Sequence, residues 1–209
     1  MDLLQQSGLV PLYDYQQIEK LEIYKEIERS SERFRQTHAG LVRNADPFHQ
    51  WSRRWEYPWV ASKLPRKGEV RILDAGCGAT FFPFYLAEQN EQAAVDALDA
   101  DPKLEKFYSR IAHPRVRFSA GPLQKLPYAD SSFDALFCIS VLEHTKSHEI
   151  IASEFHRVLK PGGLALVTFD ICLNGVADIS PKSAEDLMRV FGKTFRMEDP
   201  SAVQVGDLR

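Results

Sequence analysis

From Glu69 onwards, short apolar runs rich in branched residues alternate with segments of helical spacing, and this alternation constrains the fold most. The predicted strands are "EVRILDA", "AAVDALDA", "RVRFSA", "SFDALFCIS" and "LALVTFD". Apolar strands that are joined by helices in this order are typical of a parallel sheet covered on both faces. We therefore expect an α/β fold, in which a doubly wound and mostly parallel sheet lies between two layers of helices.

The predicted helices between and after these strands are "TFFPFYLAEQ", "DPKLEKFYSRI", "HEIIASEFHRVL" and "SPKSAEDLMRVF". Pro83 fits the first turn of the first helix, where a missing N–H removes no hydrogen bond. Beyond the last helix, "TFRMED" is a predicted sixth strand, and "AVQV" is only a weak candidate for a seventh. The C-terminal edge of the sheet is therefore expected to be incomplete or barely complete.

The pattern changes near residue 68, which predicts an N-terminal helical extension over 1–67 and the α/β domain over 68–209. Within the extension, "DYQQIEKLEIYKEIERSSERFRQTH" has apolar residues at helical spacing and a charged opposite face. Asp14 and Gln17 are placed to cap the start of that helix.

The charge balance argues against several function classes. The 209 residues include 26 Lys and Arg and 29 Asp and Glu, for a formal net charge of −3. A field this weak is not typical of a dedicated nucleic-acid binder or a membrane-surface protein. No apolar stretch approaches the roughly 18 residues of a membrane span, and the N-terminus lacks a signal-peptide pattern. Cys77, Cys138 and Cys172 form no CxxC pair, so we expect reduced thiols, no metal site and a cytoplasmic protein.

Two acidic residues stand where the first two predicted strands end. Asp74 precedes the turn "AGCGAT", in which Gly76 and Gly78 let the backbone bend and approach a ligand, while amides at the helix start can donate to an anion. Asp99 ends the second strand, where a carboxylate can accept both hydroxyls of a ribose. A dinucleotide GxGxxG pattern would place Phe81 at its third glycine, and Asp74 would repel a pyrophosphate. The pattern therefore favours a nucleoside ligand that carries an ammonium group.

Several sequence blocks resemble the class I S-adenosylmethionine-dependent methyltransferases, especially the small-molecule, type 11-like branch. "LDAGCGAT" resembles the first motif of that family, and "ALDADPKLEKF" resembles its ribose-binding segment. "LPYADSSFDALFCISVLEH" resembles the fourth-strand block, and "RVLKPGGLALVT" the block that leads into the fifth strand. The resemblance covers residues 69–170 and implies a Rossmann-like fold.

The resemblance also implies a cofactor, S-adenosyl-L-methionine, and a product, S-adenosyl-L-homocysteine. The cofactor-binding residues that it implies are Asp74, Ala75, Gly76, Cys77, Gly78, Thr80, Asp99, Ala100, Leu123 and Ser140. His144 and Asp170 follow the fourth and fifth strands at the ligand edge of the sheet and are the candidate catalytic residues. His49 and Tyr13 are further candidates for a base if the acceptor must lose a proton.

The chain departs from the family pattern at two positions. Thr80 stands at the third glycine of GxGxG, and its hydroxyl can cap the helix or approach the methionine carboxylate. Pro122 stands where the family often has an acid that accepts from the adenine amino group. Adenine recognition is therefore expected from backbone groups around Leu123 or from another side chain.

An aromatic segment, "HQWSRRWEYPWV", precedes the α/β domain. Pro58 either breaks a helix in this segment or opens a new one that ends at Leu64. The aromatic residues either pack the extension onto the sheet or form a lid over the substrate, and the lid candidates are Trp51, Trp55 and Tyr57. The side chains that could fix the zwitterionic end of the cofactor or an acidic acceptor are Arg53, Arg54 and Glu56.

The favoured function is transfer of an activated sulfonium methyl group to a small molecule by in-line displacement. No "NPPY"-like residues follow the fourth strand, which argues against amide or nucleobase nitrogen as the acceptor and against a nucleic-acid partner. One alternative is a non-catalytic S-adenosylmethionine-binding or protein-interaction module on the same fold. A nicotinamide-dependent reductase is disfavoured by Phe81. The identity of the acceptor and the oligomeric state stay open at this point.

Overall fold

The computed structural model describes residues 18–41, 48, 52–171 and 179–197. Its strands are Val70–Ala75 (β1), Ala93–Asp99 (β2), Val116–Ala120 (β3), Phe133–Ile139 (β4) and Leu159–Thr168 (β5). They form one sheet in the order β3-β2-β1-β4-β5, and every neighbouring pair is parallel. The predicted α/β class and the doubly wound, Rossmann-like sheet are confirmed.

Six helices surround the sheet in the described part of the chain: Glu22–Thr37 (α1), Arg53–Lys63 (α2), Phe82–Gln89 (α3), Glu105–Ile111 (α4), His148–Val158 (α5) and Pro181–Thr194 (α6). Short 3-10 turns precede α4 and α5, at Pro102–Leu104 and Leu142–His144. Pro83 lies in the first turn of α3, as predicted. Ser180 caps α6 by accepting a hydrogen bond from the Ser183 amide.

The two faces of the sheet carry two separate apolar clusters. Along β1, Val70 and Ile72 belong to one cluster, whereas Leu73 and Ala75 belong to the other, because successive side chains of a strand point to opposite faces. The first cluster includes buried residues of α1, α2, α3 and α4. The second includes buried residues of α5 and α6. The predicted three-layer α/β/α arrangement is therefore observed.

Pro58 neither breaks nor opens a helix, because α2 begins at Arg53 and continues through Pro58 to Lys63. Proline in this position removes the N–H that would bond the carbonyl of Arg54. The helix persists because tertiary packing offsets this loss: Tyr57 and Val60 are buried in the first apolar cluster. α1 likewise begins later than predicted, at Glu22, and the predicted cap residues Asp14 and Gln17 lie outside the described residues.

The predicted sixth strand is not formed in the part of it that the structure describes. Thr194 ends α6, and the residues from Phe195 to Met197 adopt no strand. The rest of "TFRMED" and the whole of "AVQV" lie outside the described residues.

The N-terminal helices share one apolar core with the sheet. Ile27 of α1 and Val60 of α2 are fully buried in the same cluster as Ile72 of β1 and Phe82 of α3. The predicted boundary between 1–67 and 68–209 therefore crosses a continuous core. Among the helices that the structure describes, none is long and apolar enough to cross a membrane.

Candidate functional site

The sheet changes direction between β1 and β4. From β1 the chain order runs outward through β2 and β3, whereas β4 and β5 lie on the other side. In open parallel sheets, ligands bind beyond the carboxyl ends of the strands at such a switch point. The residues at these ends are Ala75, Asp99, Ile139 and Thr168.

Gly76 and Gly78, which follow β1, serve different purposes. Both have a positive φ, +90° and +54°, which favours glycine. A Cβ on Gly76 would lie 2.6 Å from Cγ2 of Val141, so the chain itself occupies the space beside Gly76. A Cβ on Gly78 would meet nothing closer than Cγ2 of Thr80 at 3.9 Å. The sequence predicted that a ligand could approach the backbone at both glycines. In the structure, only the second of them, Gly78, has open space beside it.

The amides of this turn are bonded within the chain. The Gly76 and Cys77 amides both donate to the carbonyl oxygen of Leu98, at 2.7 and 3.0 Å. The Gly78 amide donates to Oδ2 of Asp99 at 2.9 Å. These three N–H groups thus tie the turn to the end of β2.

Asp99 is held on both of its carboxylate oxygens. In addition to the Gly78 bond on Oδ2, Oδ1 accepts a hydrogen bond from the Asp101 amide at 2.9 Å. Each oxygen keeps a further lone pair, so the carboxylate is fixed in place and can still accept two hydroxyl groups. Tyr108 of α4 also contacts the turn, because its hydroxyl donates a hydrogen bond to the Gly78 carbonyl at 2.9 Å.

Asp74 is a buried carboxyl group with a raised pKa. The residue is only 4% exposed, and burial raises the pKa of its carboxyl well above the usual range. The Asp99 charge raises this pKa further, whereas the Arg53 charge lowers it. A cationic group bound beside Asp74 would stabilise its ionised form, which is the behaviour expected of an ammonium site.

Arg53 and Glu56 of α2 reach the ends of β4 and β5. Nη1 of Arg53 donates to Oε2 of Glu56 and, at 2.6 Å, to Oγ of Ser140. Oε1 of Glu56 accepts from the hydroxyls of Ser140, at 2.9 Å, and Thr168. Glu56 is 0% exposed, so its contact with Arg53 lies inside the protein, and both of its carboxylate oxygens accept hydrogen bonds. Arg54, in contrast, forms an ion pair with Glu19 of the N-terminal segment.

Glu143 is a partly buried acidic residue beside Asp170, whereas the neighbouring His144 is exposed. Oε1 of Glu143 accepts from the Asp170 amide at 3.1 Å, and Oε2 is buried with no hydrogen-bond partner among the described residues. Burial raises the pKa of the Glu143 carboxyl, and the Asp170 charge adds to this rise. His144 ends the 3-10 turn and is exposed. The sequence placed both residues at this edge but gave no means of telling which is partly buried.

The other predicted cofactor residues lie around the same edge. Ala75 is fully buried at the end of β1, and Thr80 donates a long hydrogen bond of 3.4 Å to the Cys77 carbonyl. Ala100 is exposed directly after β2, and Leu123 is buried in the second apolar cluster. Burial raises the pKa of the Cys77 thiol well above its usual range, which agrees with a turn residue rather than a nucleophile.

Of the three predicted lid residues, the structure describes Trp55 and Tyr57. Tyr57 is a core residue: it is 3% exposed and stacks on Phe82 with ring centroids 4.1 Å apart. Its face is therefore not available to a substrate, and the prediction that it forms a lid is wrong. Trp55 is partly exposed and lies beside Trp59, with centroids 6.3 Å apart. Trp51 lies outside the described residues, as do Cys172 and the base candidates His49 and Tyr13.

Sequence reasoning missed Tyr108 and Thr168 as parts of the site. Tyr108 lies on α4 and reads as an ordinary apolar position, so no local signal points to its bond with the glycine turn. Thr168 ends β5, and a polar residue at the carboxyl end of a parallel strand was the available signal.

These residues fit an adenosyl ligand with an amino-acid end. A fixed carboxylate at the end of β2 suits ribose hydroxyls, and the open side of Gly78 permits close approach. The buried Asp74 carboxyl suits an ammonium group. In the described part of the chain, no group of three His, Cys, Asp or Glu side chains is placed to hold a metal ion.

Comparisons with known proteins find similarity to methyltransferases. A family profile described as a methyltransferase domain matches residues 73–167. A probable S-adenosylmethionine-dependent methyltransferase of Mycolicibacterium smegmatis is 34% identical over 119 residues, which are 56% of this chain and 44% of that protein. The 27-O-demethylrifamycin SV methyltransferase of Amycolatopsis mediterranei is 30% identical over 53% of this chain and 42% of that protein.

A solved structure, that of the [4+2]-cyclase SpnF, is also similar. It is 26% identical, has a TM-score of 0.58, and is matched over 66% of this chain and 56% of that chain. The chain spans less than half the length of the curated relatives named above. The profile and the relatives agree on one conclusion: residues 73–167 are similar to the methyltransferase domains of S-adenosylmethionine-dependent enzymes.

Proposed function

We propose that the whole chain is an S-adenosylmethionine-dependent methyltransferase that acts on a small-molecule acceptor. The observation that carries this proposal is the arrangement at the switch point, where Asp99 is fixed by two backbone amides beside the open face of Gly78. The similarity to a methyltransferase domain supports S-adenosylmethionine as the cofactor. A relative that is named for a small-molecule substrate supports the class of the acceptor.

The cofactor brings a methyl group that is already activated on a sulfonium, so the protein contributes mainly binding and alignment. Asp99 would hold the ribose hydroxyls and Asp74 the ammonium group. The site also contains more carboxyl groups than cationic groups, which favours a positively charged ligand over a neutral one. Holding two reactants in line lowers the barrier by up to roughly 7–11 kcal/mol.

A hydroxyl acceptor must also lose a proton, and we propose Glu143 as the group that takes it. Oε2 of Glu143 is buried without a hydrogen-bond partner among the described residues. This oxygen could therefore accept a hydrogen bond from the hydroxyl group of the substrate. The raised pKa of its carboxyl brings it closer to the range in which a base works best. His144 and Asp170 stay candidates for contact with the acceptor.

Calorimetry with S-adenosylmethionine and S-adenosylhomocysteine tests the proposal. We expect the wild-type chain to bind both, and Asp99→Ala to weaken both by at least about tenfold, since bonds to a charged group contribute roughly 1.5–3 kcal/mol. Asp101→Ala is the matched control, because the Asp101 side chain caps only the Lys103 amide. Absence of wild-type binding at millimolar ligand would contradict the proposal.

A second candidate function is a non-methylating role on the same fold. The observation that favours it is the similarity to a solved [4+2]-cyclase, together with Pro122 at the position of the missing adenine-binding acid. Incubation with S-adenosylmethionine and pooled small hydroxyl, amine and carboxyl compounds separates the two. Release of S-adenosylhomocysteine supports methyl transfer, whereas tight binding without release supports the second candidate.

The proposed location is cytoplasmic, which rests on the free and buried thiols of Cys77 and Cys138. The proposed partner is a small-molecule methyl acceptor, and no nucleic-acid or membrane partner is proposed.

A further inference from the structure

The guanidinium of Arg53 lies near the ends of both β1 and β4. Its charge acts on Asp74 at the end of β1, and its Nη1 atom bonds Ser140 after β4. The side chain is 16% exposed, so it is largely withdrawn from solvent yet still reachable. It lies on α2, outside the segment that the family profile matches.

In the described part of the chain, Arg53 is held in place by hydrogen bonds from only one of its three guanidinium nitrogens. All of its hydrogen bonds to described residues run through Nη1, which contacts Ser52, Glu56 and Ser140. Nε and Nη2 make no hydrogen bond to a described residue. A guanidinium presents its donors in a planar fork that matches a carboxylate, so the remaining edge is suited to an anionic group.

Glu56 fixes the direction of that edge. It is fully buried and accepts from Arg53, Ser140 and Thr168, which ties α2 to the ends of β4 and β5. A buried carboxylate with three donors has little freedom to move, and its partner Arg53 is thereby oriented. Glu56 is a positioning residue in this arrangement.

The surroundings of Arg53 select the kind of anion. Asp74 and Asp170 both lie within electrostatic range of Arg53, so a simple anion would meet two repelling carboxyl groups. A zwitterion avoids this conflict, because its carboxylate faces Arg53 while its ammonium group faces Asp74. The chemical class that the site fits is therefore an α-amino acid.

The place of Arg53 in the sheet order connects it to the nucleoside site. Asp99 ends β2, the glycine turn follows β1, and Ser140 follows β4, which are three adjacent strands. Adjacent strands are about 4.8 Å apart, so Arg53 lies roughly two strand spacings from the ribose site. An amino-acid arm that leaves a ribose at Asp99 and passes Gly78 would have to span about that distance to reach Arg53.

From these observations we propose that Arg53, oriented by Glu56, binds the α-carboxylate of the amino-acid end of the cofactor and not an anionic acceptor. The inference rests on the proposed function, since it assumes that the adenosyl cofactor binds. It assigns to an N-terminal helix the recognition of the half of the cofactor that ordinary nucleosides lack.

The test compares ligands that share the adenosine and the thioether but differ in the amino-acid end. Calorimetry of the full chain uses S-adenosylhomocysteine, its decarboxylated analogue and 5′-methylthioadenosine. We expect Arg53→Met to lower the affinity for S-adenosylhomocysteine by about 10- to 100-fold and the affinity for 5′-methylthioadenosine by less than about threefold. Arg53→Lys keeps the charge but not the fork, so an intermediate loss is expected.

Two further variants separate recognition from helix stability. Glu56→Gln should reproduce the selective loss, because it releases Arg53 without removing it. Arg54→Met is the matched control on the same helix, since Arg54 pairs with Glu19 instead, and it should leave all three affinities unchanged. The thermal unfolding of each unliganded variant identifies any that fails to fold.

The wild-type chain alone also decides the matter. If it binds S-adenosylhomocysteine and the decarboxylated analogue equally well, the role of Arg53 is refuted even where the variants cannot be purified. An equal loss of S-adenosylhomocysteine and 5′-methylthioadenosine in Arg53→Met refutes it as well, and so does no loss. If the wild type binds none of the three ligands, it is the proposed function that fails, and the inference falls with it.

Discussion

At the scale of single residues, the site depends on carboxyl groups placed in different surroundings. Asp99 is fixed by backbone amides and has lone pairs left for hydroxyls, whereas Asp74 is buried, Glu143 is partly buried, and both have raised pKa values. The same functional group therefore serves as a hydrogen-bond acceptor in one place and as a charge-sensitive group in two others. Position in the fold, rather than residue type, sets these roles.

The buried carboxyl of Asp74 predicts a pH-dependent cost to stability. Because the folded state raises the pKa of Asp74, the folded chain holds this proton at pH values where the unfolded chain has released it. The folded state is therefore penalised as the pH rises above the ordinary carboxyl range, by about 1.4 kcal/mol for each unit of pKa difference. Asp74→Asn should raise the unfolding temperature of the unliganded chain, more at pH 8 than at pH 5.

Thermal unfolding at the two pH values measures this directly. Asp74→Asn should also lower the affinity for S-adenosylhomocysteine, because the neutral amide no longer attracts the ammonium group of that ligand. A stability gain of the same size at pH 5 and pH 8 would show that ionisation of Asp74 is not the cause.

At the scale of elements, α2 is joined to the sheet by polar contacts as well as apolar ones. Thr168 of β5 donates to the buried Glu56 carboxylate, so removal of its hydroxyl leaves this charge with one donor fewer. Thr168→Val keeps the shape of the side chain and should lower the free energy of unfolding by about 1–3 kcal/mol. Urea unfolding measures the loss, and Thr145→Val is the control, since its hydroxyl bonds only a nearby carbonyl.

The cap of α6 gives a second prediction at this scale. Ser180 accepts from the Ser183 amide, and α6 packs Leu187 and Phe191 into the second apolar cluster. Ser180→Ala should therefore cost about 0.5–2 kcal/mol of stability. Ser180→Gly is expected to cost less than Ser180→Ala, and the reverse order would argue against a capping role.

The elements themselves were largely predictable from sequence. Strand positions followed from apolar runs bounded by polar residues, and the start of α3 followed from Pro83. The course of α2 through Pro58 was not predictable, because it depends on packing against a core that lies far away in sequence. In the site, Asp74 and Asp99 were found by their places at strand ends. The burial of Tyr57 and of Glu143, and the bond from Tyr108, depend on tertiary contacts that no local pattern records.

At the scale of the whole molecule, the N-terminal helices belong to the main core. Ile27 and Val60 are fully buried in the same cluster as strand and helix residues of the sheet domain. Removal of residues 1–67 would expose that face of the sheet, and burial of each large apolar side chain contributes about 1.5–3 kcal/mol. We expect the chain 68–209 to lose cooperative unfolding and to aggregate.

Circular dichroism during heating, together with gel filtration, tests this prediction. A sharp thermal transition and a monomeric elution volume for 68–209 would instead support two independent domains. The full chain, purified in parallel, is the control.

One consequence of the glycine turn concerns the ligands that the chain rejects. Three successive amides, of Gly76, Cys77 and Gly78, are already bonded to Leu98 and Asp99. A phosphate group arriving at this turn would find those donors occupied and a carboxylate beside them. We therefore expect these three amides to contribute no hydrogen bond to the phosphate groups of ATP, NAD(H) or other phosphorylated nucleotides.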